Sequence, residues 1–210
     1  MRIKLYKPFE HWYHGGTIWV ISDTHFDDPD CKLMDVNWVS PEEQVKLINS
    51  KVGKNDTLIH LGDVGNKEWV KKLKGYKVLI RGNHDSGSTT YEGIFDEVYG
   101  GPLFINEKIC LSHEPLGHAL SFGLNIHGHV HSLSKEMTNM SNLMMEAGDY
   151  KLINMAANIC GYTPERLDKL VEGSKTKTIH RERIDSVLES KKRTEEMISK
   201  IEKLKRKYGY

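Results

Sequence analysis

Six short apolar runs punctuate this chain, and five of them stop at an aspartate, asparagine or histidine. Thr17–Ile21 leads into Ser22-Asp23-Thr24-His25, Thr57–Leu61 into Gly62-Asp63, and Lys77–Ile80 into Arg81-Gly82-Asn83-His84-Asp85. Lys108–Leu111 precedes Ser112-His113, and Leu124–Ile126 precedes His127-Gly128-His129-Val130-His131; the sixth run is Leu152–Met155. Runs of this length, bounded by polar or glycine-rich turns, read as strands. Between them the pattern predicts a helix over Pro41–Val52, with Ser40 as N-cap and proline at the first position, and another over Lys67–Lys74 carrying Trp69, Val70 and Leu73. Alternating strands and helices predict an α/β architecture with sheets covered by helices. Open α/β sheets collect ligand-binding groups beyond the carboxyl ends of their strands. Packing alone gives no reason for polar chemistry to recur there.

The residue types recurring at those ends are carboxylates, imidazoles and one amide oxygen. Such a mixed oxygen and nitrogen set suits manganese, iron, zinc, cobalt or nickel, and is less typical of calcium or magnesium. Two divalent ions about 3.5–4 Å apart can clamp the attacking and leaving oxygens of a phosphoryl displacement, provided a carboxylate bridges them. In Asp23-x-His25 and His129-x-His131, extended backbone sends both side chains to one side, so each pair can serve one cluster.

The ordered series DTH, GD, GNHD, SH and GHVH over residues 17–131 resembles the signature of calcineurin-like metallophosphoesterases. The stretch LINMAANICGYTP, Leu152–Pro164, is similar to the final strand and turn of their small bacterial and phage members. A lone DxH or GD carries little weight, whereas five elements in order, each after a predicted strand, are specific. The resemblance implies a four-layer αββα sandwich. It implies a first metal held by Asp23, His25, Asp63 and His131, and a second held by Asp63, Asn83, His113 and His129, with Asp63 as bridge and manganese favoured in vitro. His84 would face the substrate without binding metal. Asp85 either orients His84 or structures the turn. The nucleophile would be a hydroxide bridging the metals, since a bound divalent ion lowers the pKa of water from 15.7 to about 7.

Each position also has a plainer explanation. An isolated aspartate before a turn usually caps the backbone, and Gly62, Gly82 and Gly128 can simply permit positive φ. As a series these explanations lose. His60 and His127 match no ligand position and are expected to hydrogen-bond behind the ligands or simply to pack; Asp27 and Asp28 read as loop charges near the metals. His11, His14, His118 and His180 are expected to be ordinary surface or core histidines.

Composition sets the remaining bounds. The 210 residues suit one domain with a sizeable core, and the net charge of +1 names no partner. That charge is divided unevenly: residues 175–210 hold 12 Lys or Arg against 6 Asp or Glu. A phosphoesterase domain over 1–174 and a basic, helical extension over 175–210 are therefore expected, joined by a polar connection at Glu172–Thr178. No apolar run approaches the roughly 18 residues that span a bilayer. The opening MRIKLYKPFEHWYHGG lacks a signal peptide's apolar segment, so a cytoplasmic setting without membrane partners is expected. Cys31, Cys110 and Cys160 show no CxxC pairing and read as reduced thiols, the latter two in the core. Four methionines in Ser132–Tyr150 suggest a loop or hairpin covering the core. The run after Gly62-Asp63 lacks the GDxxDRG of protein phosphatases, which points to small phosphoesters or nucleotides instead. A nuclease using the basic tail is the alternative, and a non-catalytic scaffold the third reading. The tail helix could also pair with a copy of itself, giving a homo-oligomer.

Overall fold

The computed structural model describes residues 2–35, 38–116, 123–131 and 151–176, with positions 199, 203 and 206. The first sheet has β1 (Ile18–Ile21), β2 (Thr57–His60), β3 (Tyr76–Ile80) and β4 (Glu97–Tyr99) in parallel, in the order β4-β3-β2-β1, with β9 (Glu165–Arg166) added antiparallel to β1. The second has β5 (Leu103–Phe104) antiparallel to β6 (Ile109–Leu111), followed by parallel β7 (Leu124–His127) and β8 (Lys151–Asn154).

Parallel strands covered on both faces need near-continuous apolar sequence, and β2 and β7 are buried at every position. Inward from the first sheet, Ile18, Val20, Ile59, Leu61, Val78 and Ile80 meet Ile109, Leu111, Leu124 and Ile126 of the second. Outward, Ile21, Leu58 and Leu79 pack under Ile48 and Val52 of α2 (Pro41–Lys51) and its flank. Each fully buried Ile, Leu or Val contributes roughly 1.5–3 kcal/mol relative to exposure, so the strands that carry the site are firmly anchored. Register aligns their ends: Ile21 pairs with His60, His60 with Leu79, and Ile126 with both Leu111 and Ile153. Beyond β1 and β8 an isolated bridge joins Ser22 to Ala156, with Ser22 N donating to Met155 O at 2.9 Å and Ala157 N to Ser22 O at 2.8 Å. The two sheets thus deliver their carboxyl ends to one edge.

Two parallel-rich sheets with helices form the expected metallo-dependent phosphatase arrangement. All six predicted strands form, with ends shifted by a residue or so. α2 starts at Pro41, and Ser40 Oγ accepts from Glu43 N at 3.3 Å. The segment predicted as a helix over Lys67–Lys74 is instead a 3₁₀ turn, Lys67–Lys72, because Leu73 is already extended and Gly75 turns with φ 85°. The polar connection expected at Glu172–Thr178 is corrected as well: α3 (Leu167–Thr176) runs through Glu172, seated by Leu167, Leu170 and Val171 against the core. α1 (Pro29–Met34) was not expected. The methionine-bearing stretch 132–150 and nearly all of the basic extension lie outside the described residues.

Candidate metal centre

The loops leaving the strands turn at once. Asp23, His25, Asp63 and His129 take left-handed backbone, with φ of 53°, 39°, 56° and 67°. Aspartate and histidine are among the few side chains that tolerate that region. The first two loops are tied together: Asp23 N donates to Gly62 O at 2.9 Å, His25 N to Asp63 O at 3.1 Å and Phe26 N to Val64 O at 2.9 Å. Gly62 has φ 97°, and a Cβ there would lie 2.7 Å from His113 Nδ1. Gly82 and Gly128 serve close approach instead, since a Cβ would collide with Asp63 Oδ1 at the first and with Ser22 and Asp23 at the second.

All seven predicted ligands come to one edge. Donor atoms of Asp23, His25 and His131 lie within 4.8 Å of one another, as do those of Asp63, His113 and His129. In the first cluster His131 Nε2 is 3.2 Å from Asp23 Oδ1. In the second, Asn83 Oδ1 is 2.8 Å from His113 Nε2 and 3.0 Å from His129 Nδ1. Asp63 joins them, with Oδ2 at 3.5 Å from His25 Nε2 and 3.3 Å from His113 Nε2.

The hydrogen-bond partners show what this edge lacks. His25 Nδ1 lies 2.9 Å from Asp28 Oδ2, His131 Nδ1 lies 3.3 Å from Asp35 Oδ1, and His113 Nδ1 lies 2.8 Å from Leu61 O. Each of those nitrogens must donate, so in a neutral ring the Nε2 lone pair faces further acceptors. Among the described residues, no lysine or arginine pairs with Asp23, Asp28, Asp35 or Asp63; every ion-pair partner is a histidine. Such surroundings favour protons on the rings. Burial works against a charged ring at His25, yet hydrogen bonds to Asp63 and Cys31 push it up to about 11. Burial is likewise outweighed at His131, which bonding to Asp23 and Asp35 lifts to about 10. Asp63 is held far below the usual carboxylate range: burial opposes ionisation, but His113 and His25 overcome it. A field that holds protons on buried imidazoles also favours a divalent cation, and the nitrogen and oxygen donor set fits one.

His84 is exposed at the rim, its ring 5.6 Å from that of His25 and its backbone N–H donating to Asp63 Oδ1 at 2.9 Å. Asp85 is engaged elsewhere. Its carboxylate accepts from the amides of Gly82 (2.8 Å), Asp63 (2.9 Å) and Val64 (3.0 Å) and from the Tyr91 hydroxyl (2.9 Å). These bonds shape the turn that carries Asn83 and His84. His60 is fully buried, with Nε2 3.0 Å from Thr24 Oγ1, and burial holds it down to about 4. His127 is buried with Nδ1 2.8 Å from Gly128 O. Asp28 is more than a loop charge, since it backs His25. Asp35, Asn158 and Tyr162 were missed. Asn158 Nδ2 donates to Asp35 Oδ1 at 2.9 Å and Tyr162 OH to Oδ2 at 3.4 Å, and no local motif marks a carboxylate that meets its histidine 96 residues away.

Fold and site together define a mixed α/β protein with a candidate Asp/His cation site at its strand ends. The profile of the calcineurin-like phosphoesterase family matches residues 16–154. The chain belongs to that family, whose members are metal-dependent hydrolases acting on phosphoric esters. Among solved structures it is similar to the protein of unknown function AQ665 from Aquifex aeolicus, with TM-score 0.60 and 25% identity over 74% of this chain and 98% of that one. It also matches nuclease MPE from Pseudomonas putida, with TM-score 0.40 and 22% identity over 54% of this chain and 60% of that one. Comparison with curated proteins gives no match. Among the described residues no helix is long and apolar enough to cross a membrane.

Proposed function

We propose that the chain hydrolyses small phosphodiesters or phosphomonoesters, nucleotides included, with a pair of divalent cations. Asp23, His25, Asp63 and His131 hold one cation, and Asp63, Asn83, His113 and His129 hold the other. The observation that carries this reading is the position of Asp63 Oδ2 between His25 Nε2 at 3.5 Å and His113 Nε2 at 3.3 Å, where one carboxylate can serve both clusters. Manganese is the favoured cation in vitro, with iron, zinc, cobalt or nickel as alternatives. When bound, the pair supplies activated water near neutral pH and neutralises charge on the phosphoryl group.

The protein's own groups do the rest. His84, exposed beside His25, is placed to protonate the leaving oxygen or to hold a phosphoryl oxygen. Asp85 fixes the turn from which Asn83 and His84 project. Asn83, His84 and His129 are all exposed, which among the described residues leaves a rim suited to a small ester. Manganese-loaded protein should turn over bis-p-nitrophenyl phosphate or p-nitrophenyl phosphate and lose that activity to a chelator. Absence of hydrolysis of both, at full manganese occupancy, counts against the reading.

The basic stretch 175–210, with its 12 Lys or Arg against 6 Asp or Glu, favours a second reading in which nucleic acid is the substrate. Oligonucleotide binding that weakens steeply with salt and disappears on removal of 175–210 would select it.

A further inference from the structure

The two clusters are braced differently. In the one built on Asp63, His113 and His129, the ring of His113 backs onto a neutral main-chain carbonyl, Leu61 O, and His129 is exposed. In the other, both histidines back onto carboxylates, Asp28 behind His25 and Asp35 behind His131. Those carboxylates come from one stretch, residues 28–35. Asp28 caps α1, its Oδ1 accepting from Asp30 N at 2.9 Å, and Asp35 follows the helix, its amide donating to Cys31 O at 2.9 Å. α1 thus acts as a strut that sets the spacing of the two carboxylates. Cys31 is buried between them, its sulfur within 4.8 Å of donor atoms of His25 and Asp28 and of Asp35 and His131. The far side of the strut is fixed by the turn after β8, through Asn158 and Tyr162 on Asp35.

A histidine that donates its second N–H to a carboxylate has its tautomer and ring plane fixed and becomes a more basic ligand. Two such carboxylates also add negative charge directly behind the histidines of one cluster, whereas Asp85, beside the other, is spent on main-chain amides and the Tyr91 hydroxyl. Resting on the two-cation reading above, we infer that segment 28–35 is a brace dedicated to the Asp23–His25–His131 cluster, and that Asp28 and Asp35 are positioning residues that make it the tighter of two unequal cation sites. The cluster of Asp63, His113 and His129 is then the one that exchanges metal with solvent.

The full chain, stripped by a chelator and titrated with manganese(II) alone, tests this by calorimetry and by the paramagnetic resonance of free manganese. Wild type should fill in two steps. Asp35→Asn should weaken the tighter step about 10- to 100-fold and leave the weaker step unmoved, with turnover returning at saturating manganese. Asp28→Asn keeps an N-cap for α1 and should shift the same step in the same direction, so the inference stays testable even if the Asp35 variant fails to fold. Two steps that both variants leave at wild-type affinity, or that both weaken equally, overturn the inference while the two-cation reading stands. A wild-type chain that takes up a single manganese overturns that reading, and the inference with it.

Discussion

Asp63 lies just beyond β2, after Leu61 and Gly62, and Glu97 is the first residue of β4. Both carboxylates are largely buried, with 3% and 16% of the side chain exposed, yet what faces them differs in kind. Around Glu97 the partners are donors: Trp12 Nε1 at 2.9 Å and Tyr76 OH at 2.8 Å on Oε1, the His11 ring on the same oxygen, and Tyr99 OH on Oε2. Around Asp63 Oδ2 the side-chain partners are two imidazoles whose other nitrogens are already committed as donors. The first carboxylate is complete within the polypeptide and ties the N-terminal segment to the sheet. The second faces imidazole nitrogens that satisfy it only by taking up a proton or sharing a cation. Burial therefore does not distinguish a structural carboxylate from a candidate metal ligand. The direction of its neighbours' hydrogen bonds does.

The largest effect expected from breaking this contrast is at Asp63. Asp63→Ala should remove both manganese ions, measured by atomic absorption on the purified protein, and drop turnover below detection. Next comes His84→Ala, where a positioned acid-base group typically contributes 10²–10⁴-fold. It should lose about that much in kcat while keeping its manganese, and wild-type kcat would remove His84 from the chemistry. Asp85→Ala strips acceptors from three backbone amides beside the site. With about 1–3 kcal/mol for each polar group left unsatisfied, urea unfolding of the metal-free protein should show a loss of roughly 3 kcal/mol or more.

The smallest effect should be at Glu97. Glu97→Gln is expected to cost about 1–2 kcal/mol near neutral pH, with metal content and saturated turnover unchanged. Burial opposes ionisation of Glu97, but bonds from Tyr99, His11, Tyr76 and Trp12 leave its pKa lowered. A lowered carboxylate stabilises the fold above its unfolded pKa of about 4.3 and loses that contribution as pH falls through its lower folded value. The difference between wild type and Glu97→Gln in urea melts should therefore shrink below about pH 4. A difference that grows with acid would contradict the donor-satisfied description.

The same contrast explains what could be read from the sequence. Each strand that feeds the site carries its own signal, an apolar run ending in a ligand motif, so β1, β2, β3, β6 and β7 and all seven candidate ligands were legible. Glu97 was not, because its partner Trp12 lies 85 residues away and β4 is too short to show a period. Asp35 was missed for the same reason, its contacts to His131 and Asn158 spanning 96 and 123 residues. β5 and β9, two residues each, exist through pairing with longer neighbours and have no local pattern. Lys67–Lys72 showed helical composition but lacked the length, before Gly75, to complete an α-helix. Local chemistry was visible along the chain, and long-range partnerships were not.

Anomalous diffraction from manganese-soaked crystals bears most directly on the proposed bridging role of Asp63. Two peaks about 3.5–4 Å apart, one on each side of Asp63 Oδ2, are the expected result. A lone peak, or a pair that does not share Asp63, would contradict it.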